Sequence, residues 1–186
     1  MKMNLPYQSG KVTLTSHFGW RTLNGQRDYH KGVDLSGTDK TLVAPCDGVI
    51  GSSTIITDKS NLTWQWGNYI RIDTADGLKI FMCHMAQRKV KVGQKVKAGD
   101  VVGIEGNTGY SFGSHCHFEV RKSGESVDPT PYLGIPNEWG QYDIKATPNY
   151  ADLVCAKCGF EQKTRDYINA YRFSADLWRK LWEAMS

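Results

Sequence analysis

The residues best suited to chemistry are the histidines, of which the chain has five, at positions 17, 30, 84, 115 and 117. Side chains alternate along a strand, so His115-Cys116-His117 would place both imidazoles on one face and Cys116 on the other. Two imidazoles on one face are costly to bury without polar partners, and a metal ion would relieve that cost. Taken alone, the motif fits a metal site and a solvent-facing pair equally well.

A second candidate is His30-Lys31-Gly32-Val33-Asp34. Gly32 and the following Leu35-Ser36-Gly37 favour a turn that enters a strand, from which His30 and Asp34 could converge on one ion. A surface ion pair would explain this spacing by itself. The combination with His117 is stronger, because two imidazoles and a carboxylate are zinc ligands, and three protein ligands with an open fourth position define a catalytic zinc site.

The elements that must position these residues are mainly β. Residues 1–134 contain short β-rich runs separated by turn signals such as Asp76-Gly77 and Asn107-Thr108-Gly109, without a long helical period. The predicted strands are residues 41–44, 48–57, 69–73, 78–84, 101–104 and 115–121.

The sequence pattern changes after residue 134. Prolines at 136 and 148 predict an extended linker over residues 135–148. Apolar residues at helical spacing then predict three short amphipathic helices over residues 149–186, the last with Ser174 as its N-cap. This small C-terminal domain is a candidate for forming a homodimer.

Composition excludes several classes of protein. The 186 residues are 40% hydrophobic and 23% charged, with a net charge of +4, and they include no apolar run long enough to cross a bilayer. The cations of residues 88–97 alternate with valines, as on the solvated face of a strand, so a dense nucleic-acid-binding patch is not predicted. We expect no nucleic-acid partner and no membrane insertion.

The five cysteines do not point to a disulfide framework, because their number is odd. A cysteine peptidase is disfavoured because Cys83 and His84, or Cys116 and its flanking histidines, would point to opposite faces of a strand. The pair Cys155 and Cys158 lacks the two further ligands of a structural zinc site, which favours core packing.

The framework around the histidines resembles the lysostaphin/LytM-type zinc metallopeptidase domain, over residues 15–133. The matching stretches are SHFGWR (16–21), HKGVDL (30–35), VAPCDGVI (43–50), GNYI (67–70), FMCHM (81–85), VGQKVKAGD (92–100), GNTG (106–109) and HCHFEV (115–120). They follow the order of the family.

The resemblance implies an antiparallel-sheet domain of the LytM type, similar to a duplicated hybrid motif, at residues 1–134. It also implies that His30, Asp34 and His117 hold one catalytic Zn²⁺, and that His84 and His115 are the two catalytic histidines that do not bind the metal. The substrate of the family is peptide in bacterial peptidoglycan, bound in a groove above the sheet. With such a substrate, the C-terminal domain of residues 149–186 is also a candidate for wall binding.

Two segments depart from the usual family pattern. The loop at residues 110–114 contains Tyr110 and Phe112, and the connection at residues 58–66, which contains Trp64 and Trp66, is longer than is common. We expect these four aromatic residues to line the edges of the substrate groove, and the resemblance does not fix which bond is cut.

The main alternative is an inactive relative that binds wall peptide or activates another hydrolase. Such relatives usually lack one or more of the five site residues, all of which are present here. The N-terminal residues lack the apolar segment of a secretory signal. We therefore expect a phage or prophage endolysin that is made in the cytoplasm and reaches the wall after release by a holin or delivery by a virion.

Overall fold

The computed structural model describes residues 1–57, 60, 64–144, 154–155, 157–159, 161, 164 and 174–185. The chain divides into two units, Met1–Ile144 and Lys145–Ser186. The first unit contains all five histidines.

Short strands dominate the first unit, as the density of turn residues predicts. The strands are β1 (Lys11–Ser16), β2 (Gly19–Leu23), β3 (Gln26–His30), β4 (Val33–Gly37), β5 (Thr41–Val43), β6 (Gly48–Ile55), β7 (Asn68–Asp73), β8 (Leu78–Cys83), β9 (Gln87–Arg88), β10 (Lys95–Val96), β11 (Val101–Ile104), β12 (Cys116–Lys122), β13 (Glu125–Val127) and β14 (Gly140–Asp143). A 3₁₀ turn spans Trp64–Trp66, and one short helix, α1, spans Thr130–Leu133. The mainly β prediction is confirmed.

Nine strands form one antiparallel sheet in the order β10-β6-β7-β8-β12-β4-β1-β14, with β13 paired to β12 beyond the reach of β4. Strands β5, β11 and β9 form a second sheet, and β2 pairs with β3 in a hairpin. Strand β12 therefore lies inside the large sheet, between β8 and β4, and carries the histidine motif into its centre.

The core lies against one face of the large sheet. Val33 and Leu35 of β4, and Cys116 and Phe118 of β12, alternate with the polar residues of the same strands and are fully buried. Strand period two then places Asp34 and His117 on the opposite face. The apolar half of the alternation anchors the sheet, and the polar half forms the site.

The predicted strands are found with ends shifted by one or two residues, because strands end where pairing stops. Strand β12 begins at Cys116. His115, just before it, forms only an isolated backbone bridge, with Gly106. The hairpin of β2 and β3 carries too few apolar residues to give a strand signal by itself. Strand β1 does show the alternation, with Val12 and Leu14 buried, but it is not among the predicted strands.

The predicted linker of residues 135–148 is wrong in its first part. Strand β14 pairs with β1, from Lys11 opposite Asp143 to Leu14 opposite Gly140, so residues up to Ile144 belong to the first unit. The prolines that suggested a linker flank this edge strand, which is too short to show a period of its own. Residues 145–148 lie outside the described part of the chain.

The second unit contains helix α2, Ser174–Met185, which begins at the predicted N-cap residue. Val154 is fully buried and packs with Leu181, Trp182 and Met185. The described residues do not support three helices, because α2 is the one helix among them whose bounds are defined in this unit. The other two predicted helices fall largely on residues outside the description. None of the described helices has the length and apolar character that crossing a bilayer requires.

The boundary at Ile144 can be tested with two fragments. A fragment ending at Gly134 should be less stable than one ending at Ile144 by at least about 2 kcal/mol, because it loses the pairing of β14 and the packing of Ile135, Tyr142 and Ile144 on the core. Urea unfolding of both fragments measures the difference. Equal stability would show that β14 does not belong to the folded unit.

Candidate metal centre

Three side chains from different strands bring one potential ligand atom each to a common point. His30 Nε2 lies 2.9 Å from His117 Nδ1 and 3.2 Å from Asp34 Oδ1, and His117 Nδ1 lies 3.1 Å from Asp34 Oδ1. Among the described residues they form the one group of at least three His, Cys, Asp or Glu residues whose ligand atoms lie this close together.

Strand pairing places these atoms. Asp34 and His117 lie directly opposite each other on β4 and β12, and His30 ends β3 just before the turn that starts β4. The turn passes close to His117, since a Cβ atom on Gly32 would lie 2.9 Å from its ring and 2.5 Å from the carbonyl oxygen of Phe118. Only glycine fits this approach without a shift of its neighbours.

The donor set fits a divalent metal. Two imidazole nitrogens and one carboxylate oxygen are typical zinc ligands, and ligands about 2.0–2.1 Å from a tetrahedral ion lie roughly 3.3 Å apart. The three separations between the side chains, 2.9, 3.1 and 3.2 Å, are close to this value and nearly equal. The triangle needs little movement to accept an ion on one side.

The three ligands shift one another's pKa values in different directions. Burial alone would raise the pKa of Asp34, but hydrogen bonds from His117 and His30 outweigh it and hold this pKa well below its usual value. Burial would lower the pKa of His117, yet hydrogen bonds to Asp34 and Glu119 raise it to about 9. Burial lowers the pKa of His30 against the opposing effect of Asp34. At neutral pH the ligands alone therefore hold a proton on His117.

Each ligand has an outer partner that fixes its orientation. The Nδ1 atom of His30 lies 2.8 Å from the carbonyl oxygen of His17, which can only accept, so Nε2 is left for a metal. Arg21 donates to the second carboxylate oxygen of Asp34 at 3.3 Å, and also to Ser16. The Arg21 contact was not anticipated from the sequence, because it depends on the pairing of β2 with β3 beside β4.

Glu119 is the outer partner of His117. Its Oε2 atom lies 3.5 Å from His117 Nε2, and its Oε1 atom accepts hydrogen bonds from Arg121 at 2.6 Å and from Ser126 at 2.8 Å. Burial would raise the pKa of Glu119, but its bonds to His117 and Arg121 lower it to about 2, so the carboxylate stays charged. The sequence signal was available, since Glu119 follows His117 by two residues and must share its face of the strand.

His84 and His115 complete the cluster. Their ring centres lie 4.6 Å apart, and His115 Nε2 lies 3.5 Å from Asp34 Oδ1. The Nδ1 atom of each is held by a main-chain carbonyl at 2.8 Å, that of Thr108 for His84 and that of Gly113 for His115. Because a carbonyl only accepts, both rings carry their proton on Nδ1 and leave Nε2 free to accept another.

His84 occupies an unusual backbone position. It has a φ of 62°, in the left-handed region that residues other than glycine rarely adopt. Burial, together with His115 and His117, lowers the pKa of its side chain to about 4, so this imidazole is neutral at pH 7.

A close backbone crossing forms the pocket of His84. Cβ atoms on Gly67 or Gly109 would collide with the opposing main chain. The two segments can therefore approach this closely only because both positions are glycine. The amide of His84 donates to the carbonyl of Trp66, and the carbonyl of His84 accepts from Thr108.

The predicted groove residues lie near this crossing or beyond the description. Trp66 packs on Tyr69 and Phe81, with the Arg121 guanidinium 5.4 Å from its ring. Tyr110 and Phe112 are exposed, with their ring centres 5.1 Å apart, and the Tyr110 amide donates to Gln65. The side chain of Trp64 lies outside the described part of the chain.

The cysteines near the site are too deeply buried for catalysis. Cys116 points into the core, whereas Cys83 lies opposite His117 in the strand register and so shares its face of the sheet. Both are fully buried, and burial raises both thiol pKa values. A thiolate at either position is therefore disfavoured, which agrees with the rejection of a cysteine peptidase.

Comparison with known proteins gives a consistent result. Residues 28–129 match the sequence model of peptidase family M23. The chain is 34% identical over 151 residues to the DD-carboxypeptidase/endopeptidase Mpg of Neisseria meningitidis, which covers 77% of this chain and 33% of that protein. The chain spans 20 to 40% of the length of four curated relatives that it matches.

Solved structures show the same fold. The catalytic domain of lysostaphin from Staphylococcus simulans aligns with a TM-score of 0.54 and 28% identity, over 68% of this chain and 92% of that domain. A zinc-containing peptidase from Vibrio cholerae aligns with a TM-score of 0.57 and 26% identity, over 68% of this chain and 39% of that chain.

Replacing Glu119 tests the support of the metal ligands. Glu119→Gln should weaken zinc binding about 10- to 100-fold, because the amide removes the negative charge that orients His117 and makes it a better ligand. Competition with a chelator of known affinity measures the change. The matched control is Glu125→Gln, an exposed glutamate on β13, which should bind zinc like the unaltered protein. Equal weakening in both variants would contradict the role of Glu119.

The pH dependence of zinc binding follows from the proton on His117. Its pKa of about 9 means that an ion must displace a proton at neutral pH. Apparent affinity should therefore rise with pH, by about tenfold per unit between about pH 6 and about pH 8, with release of one proton per ion. Calorimetric titration in buffers with different ionisation enthalpies measures this release. An affinity that does not change with pH would contradict it.

Proposed function

Because the chain belongs to peptidase family M23, we propose that it is a zinc-dependent endopeptidase that hydrolyses peptide bonds in the stem or cross-bridge of bacterial peptidoglycan. The observation that carries the proposal is the convergence of His30, Asp34 and His117 on one point, with two further imidazoles beside them. The name of a relative from Vibrio cholerae, peptidoglycan DD-endopeptidase ShyC, supports peptidoglycan peptide as the substrate.

We assign zinc to the site because of its ligands and the zinc-containing relative. His30, Asp34 and His117 would hold a single ion through Nε2, a carboxylate oxygen and Nδ1 respectively. When bound by three protein ligands, zinc lowers the pKa of water and polarises a carbonyl, which are the two requirements of peptide hydrolysis at neutral pH.

The chain's own residues move the protons. His84 and His115 each present Nε2 to the cluster, so either can accept the proton of the attacking water and return it to the leaving amine. The low pKa of His84 keeps that ring neutral at pH 7, so its Nε2 lone pair is unprotonated, although the same low pKa makes it a weak base. Once protonated, a ring at this position also donates a hydrogen bond to the oxyanion that forms at the scissile carbonyl.

The face of the sheet that carries the ligands offers a place for the peptide. Phe81 and Glu119 lie opposite each other on β8 and β12, so their side chains continue this face away from His117. Trp66, packed on Phe81, would form one side of a groove, and the exposed rings of Tyr110 and Phe112 would line the loop beside His84 and His115. Trp66, Tyr110 and Phe112 would orient an extended peptide across the ligands, above the buried Phe81 and Glu119.

The alternative of an inactive wall-binding relative is not favoured, because all five site residues lie together. The predicted homodimer through the C-terminal helices is not supported by the described part of the tail or by the comparisons. The endolysin assignment, with synthesis in the cytoplasm and delivery to the wall by a holin or a virion, remains a prediction. So does wall binding by the tail.

Activity on purified cell walls tests the function. The protein should lower the turbidity of a wall suspension and release new amino termini, and a chelator should stop both. His117→Ala should lose bound zinc and activity together, whereas His84→Ala and His115→Ala should keep zinc but lose about 10²- to 10⁴-fold in turnover.

The control is His17→Ala, which removes the one histidine ring outside the cluster and keeps the main-chain carbonyl that contacts His30. Full activity of His117→Ala would refute the zinc assignment, and wall binding without cleavage would favour the inactive relative. Mass analysis of the released fragments identifies the bond that is cut.

A further inference from the structure

Glu105 is a buried carboxylate that the metal ligands and catalytic histidines do not account for. It follows β11 and is only 3% exposed. Its Oε2 atom accepts from the Tyr7 hydroxyl at 2.6 Å and the Gly37 amide at 3.0 Å, and its Oε1 atom accepts from Lys40 and Ser114, both at 2.6 Å. The Ser36 hydroxyl lies 3.5 Å from Oε1 as well, so five donors from three parts of the chain meet at one side chain.

These donors keep the carboxylate charged. Burial would raise the pKa of Glu105, but the hydrogen bonds from Lys40, Ser114 and Tyr7 outweigh it and lower this pKa. Each hydrogen bond to a charged group is stronger than one between neutral groups, which makes Glu105 a firm anchor for the segments that contact it.

Two of those segments lead directly to the candidate site. Gly37 lies on β4, three residues after Asp34, and Ser114 comes immediately before His115. The residue after Glu105, Gly106, forms a backbone bridge with His115, whose amide donates to the Gly106 carbonyl at 3.1 Å. Glu105 thus joins the strand of a metal ligand to the loop that carries a catalytic histidine.

The main-chain amide of His115 is held by Gly106, but the hydrogen bonds of its ring Nδ1 atom lie within its own loop. Its Nδ1 atom is held by the carbonyl of Gly113 at 2.8 Å and lies 3.2 Å from Ser111, and Phe112, Gly113 and Ser114 between them are exposed. These contacts move with the loop and cannot fix the ring relative to Asp34. Ser114 connects the loop to parts of the chain that do not move with it: its hydroxyl donates to Glu105 at 2.6 Å, and its carbonyl accepts from the Ser36 hydroxyl at 3.2 Å.

We propose that Glu105 is a positioning residue, which holds the imidazole of His115 at its place beside Asp34 through its bond to Ser114. The proposal rests on the hydrolytic function proposed above. It adds a residue that touches neither metal nor substrate and acts through the geometry of His115, whose Nε2 atom lies 3.5 Å from Asp34 Oδ1.

Ser114→Ala is the sharpest test, since Ser114 is exposed and the change removes a single hydrogen bond from Glu105. In the zinc-loaded protein, kcat should fall about tenfold or more, with KM changed by less than about threefold, because a small misplacement of a catalytic group slows the chemical step more than substrate binding. Zinc content and thermal midpoint should be unchanged.

The matched control is Ser9→Ala. Ser9 also donates to a carboxylate at 2.6 Å, that of Asp39, but this exposed pair does not contact the loop or the ligands. Its loss should leave kcat, KM and zinc content unchanged. An equal fall of kcat in both variants, or an unchanged kcat in Ser114→Ala, would overturn the proposal.

Glu105→Gln supplies the second arm. Its amide nitrogen must face donors on one side or the other, and neither the Gly37 amide nor Lys40 can accept in return. The variant should lose stability as well as kcat, and adding Ser114→Ala to it should lower kcat little further, because both changes break the same connection. A loss of stability with unchanged kcat, or losses of kcat that multiply, would show that Glu105 only supports the core.

Histidine-ring NMR separates this proposal from the function on which it rests. In the zinc-loaded protein, with His115→Ala used to assign the resonance, Ser114→Ala should shift or broaden the His115 ring signal and Ser9→Ala should not. If the unaltered protein cut no wall peptide, the proposed function would fail while this signal still reported the placement of the ring. An unmoved His115 signal in Ser114→Ala would refute the positioning whatever the activity.

Discussion

Asp34 and His117 face each other directly across β4 and β12, and both strands bury the residues on either side of them. A slip of one residue in this pairing would turn a ligand towards the core and bring an apolar side chain to the site, because side chains alternate strictly along a strand. Phe118 and Cys116 on β12, and Val33 and Leu35 on β4, oppose such a slip because they would lose their burial. The packing of the core therefore fixes the geometry of the ligands.

Main-chain carbonyls carry this geometry to the imidazoles. His30, His84 and His115 each point Nδ1 at a carbonyl oxygen, of His17, Thr108 and Gly113 respectively. A carbonyl cannot donate, so the tautomer of each ring follows from the path of the backbone. His117 is the exception, because it turns Nδ1 to the other ligands and Nε2 to the carboxylate of Glu119. The group behind each ring therefore decides which nitrogen faces the site: Nε2 where a carbonyl holds Nδ1, and Nδ1 where Glu119 holds Nε2.

Much of the site could be read from the sequence because its signals are local. The alternation in His115-Cys116-His117 and the turn after His30 predict which side chains can meet, and the family motifs supply the order in which they occur. The contacts of Arg21 and Glu105 could not be predicted in this way. The contacts of Arg21 depend on how the β2–β3 hairpin lies beside β4, and those of Glu105 join segments far apart in the chain. A charged residue in a polar stretch looks the same whether it is buried or solvated. Strand β14 was missed for a related reason, since its pairing with β1 joins residues more than a hundred positions apart.

The left-handed backbone of His84 has a consequence for how this domain can change. A residue other than glycine held at a positive φ destabilises the fold by about 1 kcal/mol or more. Glycine or asparagine would adopt this conformation at a lower energetic cost. Selection for stability alone would therefore tend to replace this histidine, while selection for turnover would keep it. A homologous domain with asparagine or glycine at this position is expected to be more stable but less active. The identity of this one residue would then indicate whether stability or turnover was selected.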